Sequence, residues 1–215
     1  MNGFQLQAEK FEWTIGFDFE DLARELGFQF IAGVDEVGRG CLAGPVVAAA
    51  CILDPAKPVP DGLNDSKKLT AKQRDEISLE LKQNAVAFAI GAVEAEEIDR
   101  INILEATKRA MLIAISALQP AADYLLIDAL QLKLNPLPQK AIIKGDSISY
   151  SIAAASVLAK TYRDKLMTDY ENEYPQYGFS GHKGYGAAIH LAALKEHGPC
   201  RLHRKTFRGV VTEKI

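Results

Sequence analysis

Phe28-Gln29-Phe30-Ile31-Ala32-Gly33-Val34-Asp35-Glu36-Val37-Gly38-Arg39-Gly40 is the stretch on which the fold turns. An apolar, β-compatible run, Phe28 to Val34, goes straight into two carboxylates and the glycine-rich segment Gly38 to Gly44. A second apolar run, Val46 to Leu53, follows. Apolar runs separated by glycine punctuation read as neighbouring strands. Working outward, Val86 to Val93 is a third strand. A loop with Pro55, Pro58, Pro60 and Gly62 leads to Thr70-Ala71-Lys72-Gln73, a capping box opening a helix to about Leu81. Asn102 to Leu118 has the apolar rhythm of a helix and stops before Pro120, and Tyr124 to Ile127 and Ala141 to Ile143 are short strands. Ser149 to about Tyr170 and Ala187 to His197 are helices, the latter closed by Gly198-Pro199. Strands first, then alternating helix and strand, give an α/β fold: a mixed sheet with helices on its faces and a C-terminal helical segment. Residues 28–215 read as one domain. Residues 1–27 read as a leader packed on it, with a short helix over Asp18 to Leu26.

The chain has 215 residues, 48% hydrophobic and 25% charged, which suits one globular domain and excludes disordered or collagen-like order. The longest apolar run, Val46 to Leu53, is far short of the roughly 20 residues of a membrane helix, and Glu9 and Lys10 interrupt any signal core. Cys41, Cys51 and Cys200 are odd in number and form no CxxC pair, so a reducing, cytoplasmic setting and no membrane are expected. The net charge of −3 speaks mildly against a generic nucleic-acid coat.

Carboxylates recur where strands end. Asp35 and Glu36 follow the first strand, Asp128 follows Tyr124 to Ile127, and Asp146 lies three residues beyond Ile143. Ligands of α/β sheets bind outside strand ends. One acid there reads as a cap or solvated turn, but three strands repeating it do not. Clustered carboxylates raise each other's pKa unless a cation intervenes, and an all-oxygen set without Cys or His favours Mg2+ or Mn2+ over zinc. Neighbours on a regular strand point to opposite faces, so Asp35 and Glu36 share one site only if the strand bends or ends between them. Gly38-Arg39-Gly40 can bring backbone N–H groups close to phosphate or hydroxyl oxygens, or can be a tight turn with a solvated Arg.

Together these residues carry a resemblance. Ala32 to Gly40 and Leu42-Ala43-Gly44-Pro45-Val46 resemble the signature of ribonuclease HII, a type 2 ribonuclease H. Asp65-Ser66-Lys67-Lys68-Leu69, Leu126-Ile127-Asp128, Lys144-Gly145-Asp146-Ser147, Ser151 to Lys160 with Arg163-Asp164, His182-Lys183-Gly184-Tyr185-Gly186 and His203-Arg204-Lys205-Thr206-Phe207 follow in family order. The similarity covers roughly Phe28 to Arg208. Ala187 stands where Thr or Ser often follows the Gly-Tyr-Gly, and Cys41 is a second departure. The resemblance implies a ribonuclease H-like fold in which Asp35, Glu36, Asp128 and Asp146 hold two divalent ions, Mn2+ or Mg2+. It implies hydrolysis on the 5′ side of a ribonucleotide, leaving 3′-hydroxyl and 5′-phosphate ends, in RNA–DNA hybrids and in duplex DNA with single ribonucleotides. Gly38, Arg39, Gly40 and Tyr185 would read the 2′-hydroxyl, and Ser66 and Lys67 would contact phosphate. A monomer is expected.

Plainer readings stand beside these. A lone Tyr is core filler or a surface hydroxyl, a loop Lys is a solvated charge, and Lys160, Arg163 and Asp164 are as well explained by i,i+4 pairing as by substrate contact. His182, His190, His197 and His203 match no compact zinc spacing and read as surface or phosphate-proximal residues. A catalytically silent nucleic-acid-binding protein is the alternative from another class. Ribonuclease HIII would need a larger N-terminal domain than residues 1–27 supply, and type 1 ribonuclease H lacks an adjacent Asp-Glu pair. Charge by region also changes the first impression: residues 179–215 carry seven Lys or Arg against two Glu, so a basic end balances an acidic centre. Nucleic-acid binding is then expected to be metal-coupled and weakened by salt.

Overall fold

Strand β2 (Val46–Ile52) lies wholly inside the molecule, and its side chains alternate between two cores. In the computed structural model, which describes residues 14–211, it is second in a five-stranded sheet with β1 (Ile31–Val37), β3 (Ala87–Val93), β4 (Tyr124–Asp128) and β5 (Gln139–Ile142). The order is β3-β2-β1-β4-β5. The first three strands are antiparallel neighbours, whereas β4 runs parallel to both β1 and β5, giving the expected mixed sheet. Val46, Ala48, Ala50 and Ile52 pack against helix α4 (Ile103–Ser116) through Ala106, Ala110 and Met111. Val47, Ala49 and Cys51 face the opposite layer, helices α2 (Ala71–Asn84) and α5 (Tyr150–Asp169). Small residues along β2 let both helical layers approach closely. Period-two alternation in a fully buried strand thus produces an α/β/α stack.

The closest approach is at β1. A Cβ built on Gly33 would lie 2.0 Å from the carbonyl carbon of Ser151, so the first turn of α5 rests directly on the β1 backbone. Ser149 caps that turn by accepting from the Ile152 N–H. Glu20, on α1 (Asp18–Glu25), accepts from the Ser149 hydroxyl at 2.6 Å and from the Ser151 N–H at 2.9 Å. A carboxylate at a helix N-terminus satisfies orphan donors and complements the dipole. The described part of the leader, 14–27, is fastened at this point, and residues 1–13 lie outside the described residues.

Most expected elements are present, including the reciprocal capping box of Thr70 and Gln73. Three differ. The helix expected from Asn102 is preceded by a separate helix, α3 (Ala95–Ile101), because Asn102 adopts φ 68° and caps α4 with its side chain. Strand β5 starts and ends earlier than Ala141 to Ile143, at Gln139–Ile142. Strand β1 extends through Val37, so Asp35 and Glu36 belong to the strand and do not follow it. Beyond α5, the short helix α6 (Phe179–His182) and helix α7 (Ala188–His197) build a cluster of Tyr177, Phe179, Leu194, Leu202 and Val210 around Met167 of α5. Among the described residues, no helix is long and apolar enough to cross a membrane.

Gly33→Ala forces α5 off the sheet and should cost about 3 kcal/mol or more. Gly181→Ala, whose Cβ would meet nothing within 4 Å, should stay within about 0.5 kcal/mol. Urea unfolding of the two variants separates these outcomes, and similar midpoints would refute the contact.

Candidate active site

The acids meet where β1 outruns its parallel partner. Pairing of β1 with β4 stops at Val34–Ile127, while pairing with β2 continues through Val37–Val47. Asp35 therefore stays within hydrogen-bonded sheet on one side and faces the end of β4 on the other. Its Oδ1 accepts from the Glu36 N–H at 2.7 Å, and the Ser156 hydroxyl of α5 bonds the same carboxylate. Ser156 is itself held by Ser66 at 2.9 Å between hydroxyl oxygens. Asp128, the last residue of β4, accepts from the Gly145 N–H at 2.7 Å, and this bond draws the turn Gly145–Ser147 with Asp146 to the strand end. Ala129 (φ 51°) and Lys144 (φ 57°) flank the two acids in left-handed backbone, a strain of about 1 kcal/mol each that the Asp128–Gly145 contact retains.

Burial pushes the Asp35 carboxyl well above the ordinary carboxylate range, and the charges of Glu36 and Asp128 push it further. Burial also raises Glu36, opposed by Arg39, whose Nη1 lies 3.2 Å from Glu36 Oε1. Asp128 is raised by burial and by Asp146, against the Gly145 bond. Lys67, with its side chain 78% exposed, sets its ammonium 3.4 Å from Asp146 Oδ2 and 3.8 Å from Asp65 Oδ1. The four acids form an open, electrostatically coupled set flanked by two cations. Among the described residues, no three His, Cys, Asp or Glu side chains stand close enough together, as placed, to hold a metal ion. Glu36 Oε2 is buried and no protein donor reaches it. An orphan acceptor among carboxylates with raised pKa and oxygen-only donors fits a hard divalent cation. The break expected between Asp35 and Glu36 is absent, since both pair with β2. Glu36 nevertheless feels Asp128 and Lys67, so its carboxylate belongs to the same field.

Beside the acids, three chain segments are bolted together by two buried arginines. Arg163 of α5 donates to the carbonyls of Pro45, Lys183 and Ala43 at 3.0, 2.8 and 3.0 Å. Arg204 donates to Gly44 O through Nε and Nη2 and to Arg39 O through Nη1. Leu42 N–H reaches Gly184 O at 2.8 Å, which places Tyr185 next to the Gly38–Gly44 loop. Gly38 is required by the fold, having φ +90° and Arg163 Nε 2.3 Å from any Cβ. Gly40 is not: nothing lies within 4 Å and its φ is ordinary. The Tyr185 ring is 42% exposed, its hydroxyl bonds the Cys41 thiol, and Lys160 Nζ lies 5.9 Å from the ring centroid.

Several expected contacts take a different place. Ser66 is buried against Ser156 and acts on Asp35 through it. Arg163 is fully buried on carbonyl oxygens, whereas Lys160 and Asp164 form the expected i,i+4 pair at 2.8 Å, with Arg74 3.6 Å from the same carboxylate. The histidines depart most from expectation. His190 and His203 are 0% and 1% exposed, inside the C-terminal cluster and not on its surface. Ser156, Arg204 and these two histidines were not assigned roles from sequence. Arg204 and His203 share the motif His203-Arg204-Lys205-Thr206-Phe207, but only the fold shows that both turn inward.

The mixed β3-β2-β1-β4-β5 sheet with helices on both faces is a ribonuclease H-like fold, with the acids gathered beside the end of β4. The family model described as ribonuclease HII matches residues 32–210. The chain is 58% identical over 193 residues to the ribonuclease HII of Chlamydia caviae, covering 89% of this chain and 90% of that protein. Among solved structures, ribonuclease H2 from Pyrococcus horikoshii superposes with a TM-score of 0.71 at 25% identity, covering 85% of this chain and 95% of that one. Bst-RNase HIII in complex with Mn2+ gives 0.66 at 21% identity over 87% of this chain and 70% of that one, a likeness of fold. The chain belongs to the ribonuclease HII family.

A carboxyl group with a raised native pKa holds its proton to higher pH than in the unfolded chain. Between the two values the native state binds more protons, so stability falls as pH rises through that window. Asp35→Asn removes this cost while keeping the acceptor for Glu36 N–H. Without divalent cation, calorimetry should show Asp35→Asn more stable than the parent at pH 7.5, with the difference shrinking toward pH 4. A variant less stable at both pH values would contradict the buried-charge account.

Proposed function

We propose that this ribonuclease HII, which cleaves RNA in RNA–DNA hybrids, also incises duplex DNA on the 5′ side of a single embedded ribonucleotide, with a role in ribonucleotide removal during replication and repair. The observation that carries this reading is the juxtaposition of Asp35, Glu36, Asp128 and Asp146 with an unobstructed Gly40 and an exposed Tyr185 ring. A water attacks phosphorus opposite the bond to the 3′ oxygen. That bond breaks, the water's oxygen stays on phosphorus, and a proton equal to the one it loses ends on the leaving 3′ oxygen, so the ends are 3′-hydroxyl and 5′-phosphate. Two divalent ions, Mn2+ or Mg2+, held by the four acids would activate the water and stabilise the leaving oxygen.

The chain's own residues supply position and selection. Ser156, backed by Ser66, orients Asp35; Gly145 orients Asp128; and Lys67 stands at Asp146, where a phosphate would bring negative charge. Arg39 and Gly40 present a side without steric cover to the ribose, and Tyr185 offers a flat apolar face for the adjoining sugar. Gly38, Arg163 and Arg204 fix the backbone on which these groups depend, and Lys160 with Asp164 borders the Tyr185 ring. The helical segment after α5, with its excess of basic residues, is the part of the domain suited to the duplex backbone.

Incubation with Mg2+ or Mn2+ and an end-labelled DNA duplex bearing one ribonucleotide should give a single cut on its 5′ side. No cut with either ion, or a cut elsewhere, rejects the reading. Asp128→Asn should abolish cleavage with an unchanged circular dichroism spectrum. Gly40→Ala should alter stability by less than about 0.5 kcal/mol while raising KM. Gly38→Ala should lower stability itself, and matched stability losses in the two variants would remove Gly40 from the substrate path.

A further inference from the structure

Inside the C-terminal cluster, hydrogen bonds fix the proton positions of two imidazoles without ambiguity. The Cys200 N–H donates to His203 Nδ1 at 3.0 Å, so that nitrogen is unprotonated and the neutral ring carries its proton on Nε2. At the other end, His190 Nδ1 lies 2.8 Å from the carbonyl oxygen of Tyr185, which only accepts, so the His190 proton is on Nδ1. Between them the two Nε2 atoms are 3.0 Å apart, and the only consistent pairing is His203 Nε2–H donating to His190 Nε2. The donor order runs Cys200 N–H, His203, His190, Tyr185 O. A proton added to either ring would set N–H against N–H or against a backbone donor. Burial holds both rings below the ordinary histidine pKa, His203 at about 4. His182 stacks on His190 at 4.3 Å between centroids and 14° between planes, and its Nδ1 accepts from Gly184 N–H.

We infer that this buried relay, His203 to His190, is a positioning device for the Tyr185 segment, anchoring its main chain from behind while the ring faces outward. The relay rests on the reading of Tyr185 as the group that meets the ribose. Neither histidine touches the acids' hydrogen-bond network or is exposed to substrate. Among the described residues the Tyr185 carbonyl otherwise has only the Ala187 N–H at 2.8 Å, a bond within its own turn. His190 ties that turn to Cys200 and His203, which adjoin Arg204, and Arg204 grips the Gly38–Gly44 loop. The relay therefore sets the spacing between the two segments that flank the ribose.

His190→Leu removes both bonds, whereas in His190→Asn the amide N–H takes the place of Nδ1–H toward Tyr185. Amide hydrogen exchange across residues 183–187 should accelerate about tenfold in His190→Leu and return near the parent value in His190→Asn. The ratio of kcat/KM on a single-ribonucleotide duplex to that on a long hybrid should fall about tenfold in His190→Leu, mainly through KM, and recover in His190→Asn. In a Tyr185→Ala background His190→Leu should lower the ratio no further. Should His190→Leu not fold, His203→Gln, which keeps an N–H toward His190, should match the parent, and His203→Met should show the faster exchange and reduced ratio. Unchanged exchange in folded His190→Leu and His203→Met overturns the relay. So does an unchanged ratio in them when Tyr185→Ala lowers it. A ratio unmoved by Tyr185→Ala is a separate failure, that of the ribose reading, and exchange then decides the relay alone.

Discussion

Negative charge is gathered here in a place poor in water, and much of the surrounding structure holds it there. Asp35 sits inside hydrogen-bonded sheet, under the first half of α5, with Glu36 and Asp128 adding like charge. Among the described residues no salt bridge neutralises it directly; its bonds come from a hydroxyl and a backbone N–H, weaker than an ion pair in a low-dielectric setting. Such an arrangement persists only where neighbouring contacts over-determine it. Gly33 seats α5 on β1, Glu20 and Ser149 fasten the helix start, and the Asp128–Gly145 bond spans two strained residues. The stability of the remaining core underwrites a site that is individually unfavourable.

The second centre of organisation is cationic. Arg163 and Arg204 are both fully buried, and neither has a carboxylate partner among the contacts that hold it; five main-chain carbonyls take that place. Guanidinium groups suit this work because their donors lie in a fixed plane and reach several acceptors at once. Burial, and to a lesser degree the nearby Arg163 charge, lower the Arg204 pKa to about 10. The Gly38–Gly44 loop, the Lys183–Gly186 turn and the 202–204 tail become one rigid piece next to the acids. The acids and this piece meet at α5, which supplies Ser156 to one and Arg163 to the other.

Much of this was legible beforehand because it follows from local rules. The apolar run of β2, the Thr70 capping box and the recurrence of acids beside three strands all show in residue type and spacing, while the split of β2 side chains between two cores does not, because every residue of that run is apolar. What escaped depends on tertiary direction. Asn102 was read as helix because side-chain periodicity carries no sign of φ, and its left-handed backbone splits α3 from α4. Asp35 and Glu36 were placed past the strand because acids and glycines mark strand ends, whereas pairing with β2 overrides that preference. The spacing of His190 and His203, which fits no compact zinc motif, leaves surface or phosphate-proximal positions as the expectation, and only a partner for every ring nitrogen makes their burial tolerable. For Ser66 the resemblance implies a phosphate contact, while its hydroxyl points into the protein.

The grip of Arg204 on Gly44 joins residues 160 apart in the chain. During synthesis all four carboxylates have been made, and the sheet and α5 can already pack, before the residue that closes the loop beside them exists. Until Arg204 is made, the Gly38–Gly44 loop beside the acids lacks the guanidinium that holds its carbonyls. Closure of the Gly38–Gly44 loop by Arg204 thus depends on the last part of the chain to be made, whereas the contacts that gather the acids do not.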